Sequence, residues 1–83
     1  MERDADLLEA LLEIAERADG LDPVEVRDVP GWSGSAMRHH AQLVREAGYV
    51  RSAAVVPGGP AWIGALTWAG HNALDELRSL RRQ

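Results

Sequence analysis

Cysteine is missing from this 83-residue chain. Its absence excludes disulfides and any thiolate metal site, and it fits a reducing cytoplasm. Phenylalanine is missing too and tyrosine occurs once, so aliphatic side chains and Trp32, Trp62 and Trp68 are left to fill the core. Lysine is also absent: all nine basic residues are arginine, a bias that suits a GC-rich coding background. No run approaches the ~18 consecutive apolar residues of a membrane span. The opening Met1–Ala10 carries Glu2, Arg3, Asp4, Asp6 and Glu9, which breaks any signal-peptide core. Internal repeats and low-complexity segments are lacking as well. The expectation is one cytoplasmic domain, 1–83, small enough to bury only about 60–65% of the surface its unfolded chain exposes.

The formal charge is −4, which opposes nucleic-acid binding at first sight because duplex affinity rests largely on neutralising phosphates. Its distribution reverses the argument. Residues 1–30 carry ten acidic groups against Arg3, Arg17 and Arg27. Residues 31–83 carry only Glu46, Asp75 and Glu76 against six arginines. The basic part begins where the most patterned stretch begins.

Apolar residues from Leu7 to Ala18 recur at helical spacing and predict a first helix over Asp4–Ala18, capped by Asp4 or Asp6 and stopped at Gly20. Between Leu21 and Pro30, Val24 and Val26 alternate with Glu25 and Arg27 between prolines. That pattern favours a short strand or extended loop over a helix. A second helix then runs from Ser33 or Ser35 to Ala47, with Ser caps before it and Gly48 after it. The runs 49–56 and 61–66 flank Pro57-Gly58-Gly59-Pro60, a hairpin in which Gly58 and Gly59 are free to take positive φ. Thr67 caps a last helix, Trp68–Arg81, with Ala73, Leu74, Leu77 and Leu80 as its apolar face.

On the helix Ser35–Ala47, Met37, Ala41 and Val44, with Leu43, point to the core. Ser35, Arg38, Gln42 and Arg45 fall on the opposite side. Arginine reads guanine edges bidentately and glutamine pairs with adenine, while Ser35 and His39 suit phosphate. With Ser33 at the turn and Arg51 on the following strand, these residues form a candidate DNA-binding set; the plain alternative is the wet face of a surface helix. His39 and His40 point about 100° apart on a helix and cannot share one ion, so no metal is expected. His40 falls at the edge of the core in a hydrogen-bonded role, and His71 is expected beside Trp68. The tryptophans could stack on bases, but core filling is the simpler expectation. No cofactor motif and no catalytic arrangement appears, so the chain is not expected to be an enzyme.

The pattern G-W-S-G-S-A-M-R-H-H-A-Q-L-V-R-E-A-G-Y-V over Gly31–Val50 resembles the end of the helix-turn-helix in winged-helix regulators such as the ArsR and MarR families. Taken with M-E-R-D-A-D-L-L (Met1–Leu8) and L-T-W-A-G-H-N-A-L-D-E-L-R (Leu66–Arg78), it is similar to the phage- and prophage-associated family numbered 2513 among domains of unknown function. The resemblance implies a small α+β winged helix: helix, short strand, recognition helix, β-hairpin wing and C-terminal helix, with the second helix of the helix-turn-helix reduced or absent. The expected function is a phage-type transcriptional regulator that binds duplex DNA. Extra leucines on the first and last helices suggest a homodimer. The alternative is a protein-interaction adaptor that uses the acidic first helix (Glu2, Asp6, Glu9, Glu13, Glu16) or the hairpin.

Overall fold

The computed structural model describes residues 5–18, 22–26 and 31–81. It is an α+β structure with three helices, α1 (Ala5–Arg17), α2 (Gly34–Glu46) and α3 (Trp68–Arg81), and three strands, β1 (Val24–Val26), β2 (Ala53–Val55) and β3 (Ala61–Ile63). The order helix, strand, helix, hairpin, helix is the one expected. Among the described residues no helix lies between α1 and α2, and a strand stands there instead. The cap expected at Asp4 and the stop at Gly20 lie outside the described residues.

The sheet is antiparallel throughout in the order β1-β3-β2, so the last strand of the chain sits in the middle. Its register aligns Val24, Ile63 and Ala53 across the sheet, and likewise Val26, Ala61 and Val55. Because side chains alternate along a strand, these two rows share the inner face and Glu25, Trp62 and Ala54 share the outer one. Ala61 and Ile63 are fully buried and Trp62 is half-buried on the far side. The expectation that Trp62 fills the core is therefore corrected: strand parity, not size, decided which residue went inside.

The core joins Leu7, Leu11, Leu12 and Ala15 of α1 to Met37, Ala41 and Val44 of α2, Ile63 of β3 and Leu74 of α3. Trp32 packs against it half-buried. Trp68 is 82% exposed and Leu80 61%, against the expectation that both are core. The reason is phase: each lies about 120° round the helix from buried Leu74, one on either side. His71, expected to pack beside Trp68, is exposed as well.

Two junctions hold α2, α3 and the hairpin in place. At the first, Thr67 Oγ1 accepts the Gly70 N–H at 3.1 Å and donates to the Gly48 carbonyl, while Thr67 N–H donates to Tyr49 O at 3.0 Å. One threonine thus caps α3 and ties it to the end of α2. At the second, the turn Val56–Gly59 closes with Gly59 N–H donating to Val56 O at 2.8 Å. Pro57 and Gly58 are its central residues; Gly58 has φ 72°, and Gly59 keeps an ordinary φ. No described helix is long and apolar enough to cross a membrane.

Candidate nucleic-acid interface

Both ends of α2 are closed by local chemistry. Ser33, extended at φ −71° and ψ 155°, accepts the Ala36 N–H on its Oγ at 3.1 Å. At the other end Gly48, at φ 77°, donates to Arg45 O and Tyr49 donates to Val44 O, each at 2.9 Å. This pair of bonds is a Schellman cap, and glycine supplies the left-handed residue it requires. Met37, His40, Ala41 and Val44 are buried beneath the helix. The His40 Nδ1 lies 2.8 Å from the Ala36 carbonyl, so the ring donates there and fills the structural role expected of it.

The residues singled out from the sequence fall into three situations. Ser35, Gln42 and Arg45 are exposed on one side of α2. Gln42 and Arg45 also line a shallow groove of about 280 Å³ between α2 and β2, bordered by Ala53 and Val55. Arg38 is half-buried and its Nη1 donates to the Gly59 carbonyl at 3.1 Å, so its guanidinium clips the hairpin turn to the helix. Gly34 makes room for that clip, since a Cβ there would lie 2.9 Å from Arg38 Nη1. Ser33 is exposed with its hydroxyl engaged in capping. His39 is half-buried, its ring edge-on to His40 at 5.6 Å between centroids. Arg51 is exposed on the segment before β2, held by its N–H donating to Ala65 O at 2.9 Å. Among the described residues no cluster of three or more His, Asp or Glu is placed to hold a metal.

Glu46 lines the same groove as Gln42 and Arg45, which places a carboxylate beside that guanidinium. Helical phase puts Glu46 about 40° from Gln42, and the sign of its charge is the signal in the sequence. The acidic side of α1 is less open than its composition suggests. Glu9 is only 5% exposed. Arg78 of α3 reaches across to Glu16 at 2.9 Å and Glu13 at 3.5 Å. The hydrogen bond from Arg78 holds the Glu16 carboxyl below its ordinary range, against a smaller opposing effect of burial.

Three helices against a three-stranded antiparallel sheet, with one helix presenting polar side chains beside an apolar hairpin, define a small α+β protein. Within that class the chain belongs to the family described as hypothetical protein DUF2513, whose model matches residues 2–81. No curated protein and no solved structure matches it.

Proposed function

We propose that this protein is a small winged-helix regulator of phage or prophage type that binds duplex DNA. On this reading α2 enters the major groove and the β2–β3 hairpin lies along the adjacent backbone as the wing. The observation that carries it is the side of α2 bearing Ser35, Gln42 and Arg45, exposed together beside a hairpin that Arg38 fastens to the same helix. Those side chains combine a base-reading amide and guanidinium with a hydroxyl suited to phosphate. Glu46 repels phosphate from within that surface, so modest affinity is expected. The adaptor reading based on an acidic α1 has less support, because Glu9 is buried and Glu13 and Glu16 are engaged by Arg78.

The test is fluorescence anisotropy of a labelled duplex titrated with the full chain at two salt concentrations. Binding should weaken steeply with salt, and Arg45→Ala should reduce the salt slope by about one. Glu46→Gln should tighten binding, the opposite of what a bystander residue would do. Absence of binding at low salt, or indifference to both substitutions, would sink the proposal.

A further inference from the structure

A second surface lies round α2 from its polar stripe and meets it at Glu46. Between α1, α2 and α3 runs an open groove of about 740 Å³, within the ~300–1,000 Å³ range of pre-formed binding sites. Its walls include Leu8, Leu43, Tyr49, Leu77 and Leu80. Leu12 and Val44, both fully buried, form its floor. Leu80 stands 61% exposed at one rim, an uncommon exposure for a leucine flanked by other apolar groups. Among the described residues the charged side chains that line the groove are Glu46 and Glu76, both acidic. Arg78, next to Leu77 in the chain, turns instead to Glu13 and Glu16 of α1.

From this charge pattern we infer that the groove docks a basic amphipathic helix of another protein. Its apolar anchors, at i, i+3 or i+4 and i+7, would lie over Leu43, Leu77 and Leu80, and its flanking Arg or Lys would face Glu46 and Glu76. Nucleic acid is the wrong occupant because both carboxylates repel phosphate. A second copy docked groove to groove would present the same lining, which among the described residues offers Glu46 and Glu76 and no cation to set against them. The groove is also separate from the proposed reading surface: Leu43 lies about 100° round α2 from Gln42, and only Glu46 borders both. The inference therefore stands whether or not α2 binds DNA.

The probes are three dye-labelled synthetic helical peptides titrated against the full-length chain: one with a leucine stripe flanked by arginines, one with glutamates in place of those arginines, and one with the arginine peptide's residues scrambled. Saturable binding is expected for the first alone, weakening with salt. Leu80→Glu and Glu76→Arg should each weaken it at least tenfold. Both sites are exposed, so the fold should survive, and circular dichroism checks that it does. Equal binding of the glutamate or scrambled peptide, or no effect of either substitution, overturns the inference. So does a dimer in sedimentation that Leu80→Glu dissolves, because a second copy then occupies the groove.

Discussion

Replacing Gly70 with alanine sets two physical effects against each other. Gly70 is the third residue of α3, and glycine inside a helix costs roughly 0.5–1 kcal/mol relative to alanine, so propensity alone forecasts a gain. Packing forecasts the reverse. A Cβ on Gly70 would lie 2.0 Å from the carbonyl oxygen of Tyr49 and 2.9 Å from Leu66 Cδ2. The obstructing atom is backbone and already committed: Tyr49 O accepts the Thr67 N–H, and Tyr49 N–H donates to Val44 O. Relief needs a shift of more than an ångström, which either opens the Schellman cap of α2 or detaches Thr67. Overpacking of this kind costs about 1–3 kcal/mol. A lost hydrogen bond adds about 0.5–1.5 kcal/mol. After the propensity gain is subtracted, the net loss is about 0.5–4 kcal/mol. The whole stability of a chain this size is about 4–12 kcal/mol. At about 4–8 °C per kcal/mol the melting temperature should fall by about 2–30 °C. A far-ultraviolet circular dichroism melt measures this, with Asn72→Ala, exposed on the same helix, as a control in which propensity acts alone. A Gly70→Ala protein that melts at or above the wild-type temperature would refute the junction.

Ser33 separates capping from DNA contact. Ser33→Ala should cost about 1 kcal/mol by removing the acceptor of the Ala36 N–H, whereas Ser33→Asp keeps a cap and should melt near wild type. If α2 meets DNA, the aspartate variant should bind duplex more weakly than the alanine one despite its greater stability; the reverse order contradicts the proposed orientation. The Arg78 bridge has a definite pH sign. Because the folded state lowers the Glu16 pKa, its contribution is present above the ordinary carboxylate range and lost as pH falls through the folded value. The melting-temperature gap between wild type and Arg78→Gln should therefore be open at neutral pH and close in acid. A gap that stays constant or widens on acidification contradicts the bridge.

Local chemistry made most of the element order readable. Ser33, Gly48 and Thr67 act within a few residues of themselves, so cap and stop patterns located the ends of α2 and the start of α3. The alternation of Val24 and Val26 revealed β1 for the same reason. What escaped depends on partners distant in the chain. Glu9 looks like part of a solvated acidic face until α3 brings Leu77 and Leu80 to the cleft beside it. Arg38 reads as a free reading head until the hairpin presents the Gly59 carbonyl to it. Trp68 and Trp62 stay at the surface because helical phase and strand parity, rather than side-chain size, set burial.

The placement of β3 has a bearing on how the protein comes into being. β1 and β2 never pair with each other, and each has β3 as its partner. Since β3 leaves the ribosome last of the three, a nascent chain ending before Ala61 owns two strands and no sheet. The inner-face valines of β1 then wait for Ala61 and Ile63 from the far end of the chain. Pairings this distant slow folding, because loop closure must precede the contacts that stabilise it. The sheet is therefore acquired late, and truncation within the hairpin should leave β1 and β2 without the strand that joins them.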